Sequence, residues 1–562
     1  HLLIWKYIFH VWPGNRFKNH QGIQGIISFI PYNRGLHMVA ADENVSRAMA
    51  PVVAKLQDAI GIQNVKTSKM ERLLYSHDLA PLPSVAQLAF KNLPDIVVRP
   101  HTTDDVVRIV KIAAEEKVPI TPRGASTWGL GGSTPVFGGI LIDMSGGMNK
   151  ILKVDKENLC IKAQAGCTWK QVMDAAEENG MMLGGYPSSF PSATLGGWIS
   201  VNGVGMGSMK YGTSGDLVRN MEVVMPDGTM VETGYDLIVD NETGYNLNRL
   251  IVGAEGTLAH ICTVTFKLEP APEVMRSLTY AFPTLKEAGQ PMRDILRSRV
   301  RPLHLGFSDP NHFELLRKAG KHAIEDGAVL NIQLEGDKEI VAWEEKKIDE
   351  IMAKYNGKKL SDEVAVHEWD ERCYEYRCRE VGIGSIPGEV VVPANKFEDV
   401  VDYCYGLHRD LKLTGAIIGS VVDRNTVMFM PYYLFNPDDL PQMTAFGFNA
   451  KLANYSLTIG GRPLGFGAFF ASNLDPIRGS GAKYIRSIKK LIDPDDIMNP
   501  GKLTGTTLRY GIKIPPALFQ LGMGAMGIIK KAIATEGEVA EAQEAYAQER
   551  ANLERDGRHK SH

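Results

Sequence analysis

Two stretches of this chain combine residue types suited to holding a phosphate group. The first is Pro122-Arg123-Gly124-Ala125-Ser126-Thr127-Trp128-Gly129-Leu130-Gly131-Gly132. Small side chains let an anion approach the main chain, and successive free N–H groups in such a turn can converge on it. Taken alone, this loop reads equally well as a plain glycine-rich turn. The second stretch lies between Glu178 and Lys210, where thirty-one consecutive positions carry no charge in a chain that is 23% charged; composition alone would place about seven charges there. Its core, Tyr186 to Met209, is rich in Pro, Ser, Thr, Asn and Gly, which excludes a membrane-spanning helix. The hydroxyls of Ser188, Ser189 and Thr194, the amide of Asn202 and the bare backbone at Gly196, Gly197, Gly203 and Gly205 could clasp a pyrophosphate through N–H and O–H dipoles without a cation.

The elements that position these loops follow from periodicity. Asp95-Ile96-Val97-Val98-Arg99 reads as a strand, and Asp104 to Glu116 as a helix with apolar Val106, Val107, Ile109, Val110, Ile112 and Ala113. Val118 to Gly124 is a second strand feeding the first loop, and Gly139 to Asp143 a third. Between Glu273 and Ala482, strand-like runs such as Gly327–Glu335 and Gly388–Val392 alternate with helix-like runs such as Val341–Ala353 and Lys396–Lys412, an α+β pattern. Near the end, Gly522, Gly524 and Gly527 spell G-x-G-x-x-G. No strand precedes them and too little chain follows for a βαβ unit, so this fingerprint is rejected.

Composition narrows the function classes. The chain has 562 residues, 62 Lys+Arg against 65 Asp+Glu and a net charge of −3, which leaves no basic field for nucleic acid. Cys160, Cys167, Cys262, Cys373, Cys378 and Cys404 show neither cluster nor zinc spacing and suit a reducing cytoplasm. Residues 1–37 begin without Met and read as a non-native or disordered leader, with Met38 as the expected start. Ile514–Ile529 is uncharged but too short and too rich in Pro and Gly to span a bilayer; it could lie on a membrane or a partner.

The runs Pro100-His101-Thr102-Thr103-Asp104-Asp105-Val106, Pro122–Thr127, Ala165-Gly166-Cys167, Pro187-Ser188-Ser189, Thr194-Leu195-Gly196-Gly197-Trp198, Tyr211-Gly212, Pro226-Asp227-Gly228 and Gly253–Leu258 follow in order. Together they resemble the flavin-binding module of the vanillyl-alcohol oxidase / p-cresol methylhydroxylase (PCMH) superfamily, and within it the glycolate oxidase flavoprotein subunit and D-lactate dehydrogenase group. The resemblance is dense from Leu73 to Glu273 and returns at Leu491–Lys502, which is similar to that family's closing motif. It implies an α+β architecture: a PCMH-type two-lobed FAD-binding domain, an α+β substrate (cap) domain and a C-terminal helical extension. The expected organisation is a leader at 1–37, a helical arm at 38–93, the FAD-binding domain at 94–272, the cap at 273–480, a return to the FAD domain at 481–505 and a helical tail at 506–562.

The resemblance also implies the FAD ligands. In the first loop they are Pro122, Arg123, Gly124, Ala125, Ser126 and Thr127. In the second stretch they are Pro187, Ser188, Ser189, Thr194, Gly196, Gly197, Asn202 and Gly203, joined by Tyr211, Gly212, Glu255, Gly256 and Ile261. Relatives that tether FAD covalently often place a histidine in the first loop, where this chain has Ala125 and Ser126, so non-covalent FAD is expected.

In the cap, Arg372 of Glu368-Trp369-Asp370-Glu371-Arg372 is the first candidate to grip an anionic substrate bidentately; the competing reading is a surface ion pair. Hydroxy-acid dehydrogenases of this kind usually carry H-x-G-D-G-N-x-H and G-E-H-G. The corresponding stretches here, Ile418–Met428 and Gly460–Gly467, contain no histidine. No metal is expected, and the proton acceptor is sought in a Tyr/Arg/Asp constellation: Tyr374, Asp423, Arg424 and Tyr432 beside Arg372. The implied activity is hydride transfer from a 2-hydroxy acid of glycolate or D-lactate type to FAD and on to an iron–sulfur or membrane-associated acceptor subunit. Alternatives are an alkylglycerone-phosphate-synthase-like FAD transferase and a non-catalytic electron-relay subunit. The expected location is cytoplasmic, with room for attachment at the inner face of the membrane and for a homodimer.

Overall fold

The computed structural model describes residues 47–79, 92–321, 324–325, 327–373, 384–435, 447–468 and 470–505. The leader, the tail with its glycine fingerprint and docking segment, and Tyr374 lie outside the described residues.

The smaller lobe is a four-stranded sheet whose strands Ile96–Val98, Ile140–Asp143 and Ile120–Arg123 run parallel, with Val65–Lys66 antiparallel at one edge. Parallel strands are covered on both faces, and Ile96, Val97, Val98, Ile140, Leu141 and Ile142 are all fully buried. The crossover is the helix Thr103–Glu116, which buries Val106, Ile109, Val110 and Ala113. A capping box between Thr102 and Asp105 starts it, worth about 1 kcal/mol. The first glycine-rich loop leaves the carboxyl end of Ile120–Arg123, where open α/β sheets bind ligands. That strand is the sheet's edge, and the far C-terminal segment covers it. The Ile120 amide donates to the Ile497 carbonyl and its carbonyl accepts from the Asn499 amide, both at 2.7 Å.

The larger lobe is a five-stranded antiparallel sheet in the order Ile151–Asp155, Cys160–Gln164, His260–Lys267, Val218–Val224, Met230–Glu232. Trp169 plugs its core, edge-on to Trp198 at 4.7 Å and tilted against Phe266 at 5.1 Å. Trp198 belongs to the short helix Leu195–Ser200 inside the charge-free stretch, so that stretch is anchored by aromatic packing.

The cap is a nine-stranded antiparallel sheet. Val274–Phe282, Ala328–Gly336, His304–Ser308, Gly415–Val421 and Thr426–Phe435 lie side by side in that order. Strand alternation sorts their side chains. Leu278, Tyr280, Leu305, Phe307, Leu330 and Ile332 enter one apolar core with the helices Gly289–Arg297, Lys338–Lys354 and Phe397–Asp410. The alternate positions Ser277, Thr279, His304, Asn331 and Gln333 face the other way and line a polar chamber under the helix Asp362–Asp370. No helix among the described residues is long and apolar enough to cross a membrane.

Candidate functional site

A cleft of about 480 Å³ runs between the two lobes and beneath the cap, within the usual range for a cofactor site. Its floor is the first loop, Pro122 to Leu130, and one wall is Pro187–Ser189 with Thr194–Gly205, taken mostly from the charge-free stretch. Glu255, Gly256 and Ala259 to Ile261 form the other end, and the cap contributes His304, Glu389, Gly419, Met428 and Leu464. The expected ligands Pro122 to Thr127, Pro187, Ser188, Ser189, Thr194, Gly196, Gly197, Asn202, Gly203, Glu255, Gly256 and Ile261 all border this cleft.

The cleft is built for an anion with little positive charge of its own. Among the described residues, the amides of Gly124, Ala125, Ser126 and Thr127 have no acceptor. Ser126 holds a left-handed φ of 57°, with its hydroxyl 2.8 Å from that of Ser133. Ser189 donates to the Thr127 hydroxyl at 3.3 Å and ties the two loops together. Thr194 Oγ1 is buried without a partner, and a Cβ on Gly124 would stand 2.0 Å from it. An orphaned hydroxyl beside free amides, in space kept open by glycine, fits the pyrophosphate of a dinucleotide. Arg123 borders the cleft, but its guanidinium donates to the carbonyls of Tyr75 and His77 at 3.3 and 2.8 Å and lies over the Tyr75 ring; it buttresses the loop.

Three groups hold the site together: Glu255 and the Trp128–Glu389 pair link the lobes to the cap, and Asn499 links them to the C-terminal return segment. Glu255, at φ 51°, accepts from the amides of Phe466 and Gly467 at 3.2 and 2.8 Å. Burial pushes its carboxyl up to about 7 against the pull of those bonds and of Lys502. Trp128 Nε1 donates to Glu389 at 2.8 Å, and burial lifts Glu389 to about 7 as well. Asn499 donates to the carbonyls of Gly132 and Glu255 at 3.0 and 2.7 Å.

Beside the cleft, and sharing Met206, His304 and Gly419 with it, is the polar chamber of about 60 Å³. Arg372 lines it, with its guanidinium 4.2 Å from the Trp369 ring centroid. Arg372 Nε donates to the Tyr186 hydroxyl at 3.2 Å and Nη1 to the Trp369 carbonyl at 2.7 Å. Aromatic stacking and these two bonds fix the guanidinium plane in the chamber wall.

Several expectations are corrected. Asp423 and Arg424 sit on the exposed turn between the strands Gly415–Val421 and Thr426–Phe435. Arg424 donates there to the carbonyls of Leu296, Ser298 and Val300, so neither residue reaches the cleft. Tyr432 is fully buried in the cap core, its hydroxyl 2.9 Å from His312 Nδ1. Tyr211 and Gly212 do not border the cleft, because the Tyr211 hydroxyl donates to Glu335 of the cap at 2.7 Å. Sequence reasoning overlooked His304, and it did not see the Trp128–Glu389 bond or the role of Asn499. A signal for the chamber was present in the alternation Ser277/Thr279 and Asn331/Gln333, polar residues on one face of apolar strands. Among the described residues no group of three or more His, Cys, Asp or Glu is placed to hold a metal ion.

Comparison with known proteins gives the same outline. Residues 94–234 match the FAD binding domain family and residues 271–503 the family of FAD linked oxidases, C-terminal domain. Glycolate oxidase subunit GlcD of Bacillus subtilis is 29% identical over 467 residues, covering 80% of this chain and 96% of its own. D-lactate dehydrogenase of Anaerostipes hadrus is 28% identical over 74% of this chain and 90% of its own. Among solved structures, p-cresol methylhydroxylase with substrate bound superposes with a TM-score of 0.71 at 19% identity, over 81% of this chain and 97% of its own. Alkyldihydroxyacetonephosphate synthase gives 0.64 at 22%, over 80% and 86%. Residues 94–234 and 271–503 thus carry the two domains of an FAD-linked oxidase on an α+β, PCMH-type fold, with FAD as the cofactor.

Proposed function

We propose that this protein oxidises a small 2-hydroxy acid, delivering hydride to FAD, and hands the electrons to a separate acceptor. The observation that carries this reading is the polar chamber that shares Met206, His304 and Gly419 with the cleft and is lined by the fixed guanidinium of Arg372. A guanidinium so placed can take a carboxylate by two parallel N–H bonds and set the neighbouring carbinol carbon toward the cleft. Relatives that act on glycolate and D-lactate support the substrate class.

Bound FAD supplies the two-electron acceptor. The first loop and the Pro187–Asn202 wall hold its pyrophosphate through the amides of Gly124 to Thr127 and the Thr194 hydroxyl. The attachment is non-covalent in this reading, since the first loop offers no histidine. The binding domain is residues 94–272, the cap 273–480, and the return segment 481–505 closes the site through Asn499. An iron–sulfur or membrane-associated subunit is the electron acceptor in this scheme.

Anaerobic mixing of the FAD-loaded protein with glycolate, D- and L-lactate, 2-hydroxyglutarate and aromatic alcohols tests the reading. Flavin bleaching by a hydroxy acid is the expected result. FAD that no panel member reduces would move the weight to a transferase or relay role.

A further inference from the structure

The polar face of the cap sheet carries a histidine that none of the roles above uses. Strand register places Ser277, Gln333 and His304 in one row and Thr279, Asn331, Gly306 and Ser420 in the next. Ser277 donates to Gln333 at 2.6 Å and Thr279 to Asn331 at 2.8 Å, so these neighbours satisfy one another. His304 stands apart. It is only 8% exposed, and among the described residues neither ring nitrogen has a hydrogen-bond partner. A Cβ on Gly306 would come within 2.8 Å of His304 Nε2, so glycine there leaves the ring its space. His304 lies on the wall shared by cleft and chamber, with its ring 6.0 Å from that of Trp369. Arg372, Glu368 and Glu371 from the chain around Trp369, and His312 from the helix Pro310–Lys318, are the other titratable groups lining the chamber. A buried imidazole with unmet hydrogen-bonding capacity at the junction of a cofactor cleft and an anion pocket is placed to meet a substrate hydroxyl.

We propose that His304 is the catalytic base, accepting the hydroxyl proton of a 2-hydroxy acid whose carboxylate is held by Arg372; this rests on the hydroxy-acid reading above. The C2 hydrogen would leave with its bonding pair as hydride, for which bound FAD would supply the two-electron acceptor. The O–H bond breaks with its proton moving to the imidazole, and the C–O bond becomes C=O. The acid loses two electrons and FAD gains them. Burial, with a contribution from the Arg372 charge, lowers His304 to about 4, so the ring is neutral and able to accept a proton at neutral pH. A carboxylate seated on Arg372 offsets that positive charge and makes the imidazole more basic when substrate is present.

The test is rapid anaerobic mixing of the FAD-loaded full chain and its His304→Gln variant with the acid that bleaches wild type, from pH 5 to 10. Equilibrium binding of oxalate, read from the flavin absorbance, runs in parallel. The expected result is flavin reduction slowed about 10²- to 10⁴-fold, loss of the wild-type pH dependence, and oxalate affinity close to wild type. His304→Asn serves as the second variant if the first does not fold. Undiminished reduction with the wild-type pH profile would overturn the role of His304 and leave the hydroxy-acid reading standing, as would equal losses of rate and oxalate binding. Wild-type flavin untouched by any hydroxy acid would overturn both.

Discussion

Replacing Thr194 by valine should separate folding from FAD binding. Thr194 is 3% exposed and its hydroxyl has no partner. It precedes the helix Leu195–Ser200 without making a side-chain cap bond, and the amides of Leu195 and Gly196 donate instead to the carbonyls of Cys167 and Ala165 at 2.9 Å. Valine therefore deletes no hydrogen bond within the described protein and removes a buried unsatisfied hydroxyl, a burden of about 1–3 kcal/mol. The apoprotein should be as stable as wild type or more so. With FAD bound, the hydroxyl's bond to a phosphate oxygen is charge-assisted and worth about 1.5–3 kcal/mol. The variant should bind FAD about 10- to 150-fold more weakly. Titration of apoprotein with FAD by fluorescence quenching, alongside thermal melts without FAD, reads both effects, and Thr194→Ser should keep the affinity. Unchanged affinity in the valine variant, or an apoprotein that melts well below wild type, would refute the reasoning.

Other substitutions probe the chamber and the ties between lobes and cap. Arg372→Met should raise the Michaelis constant for the acid about 10- to 150-fold by removing a charge-assisted carboxylate contact, with FAD affinity unchanged; steady-state kinetics and FAD titration check it. Gly467 holds φ 54° and a Cβ there would stand 2.0 Å from the Leu130 carbonyl, so Gly467→Ala should cost about 1–3 kcal/mol, seen as a lower melting temperature by calorimetry. The folded chain keeps Glu255 protonated up to about 7 instead of its ordinary 4.5. Its stabilising contribution is complete below 4.5 and is lost as pH rises through about 7. Denaturant unfolding from pH 4.5 to 8 should therefore show a fall in wild-type stability that Glu255→Gln makes shallower.

The two stretches that wall the cleft were legible in the sequence because their signals are local. Glycines after a strand and a long run without charge announce themselves wherever the chain goes, and the cleft lies where those two stretches meet. The helix Thr103–Glu116 was equally plain from its apolar spacing. The substrate side was harder, since its contacts join residues far apart in sequence. Trp128 meets Glu389, and His304 shares a chamber with Arg372, only after the cap sheet has set its register. Asp423 and Arg424 looked chemical because they are charged and stand where relatives carry a motif, yet a hairpin turn is where charge is most easily solvated. Tyr432 sits two residues beyond the cleft-lining Met430, and its hydroxyl is satisfied by His312 within the core. Tyr211 stands next to cleft-lining segments in the chain, but Glu335 captures its hydroxyl. These outcomes depend on which partner the folded chain brings within reach, and single-residue identity does not carry that information.

The most direct test of the central claim is a single-turnover reaction without oxygen, using a hydroxy acid from the reactive panel and its C2-deuterated form, with product analysis. The prediction is one 2-oxo acid formed per FAD reduced, slower reduction with deuterium, and intact FAD released when the protein is denatured with acid. Reduction absent throughout the panel, or product formed with no net change in the flavin, would contradict hydroxy-acid dehydrogenation by this protein.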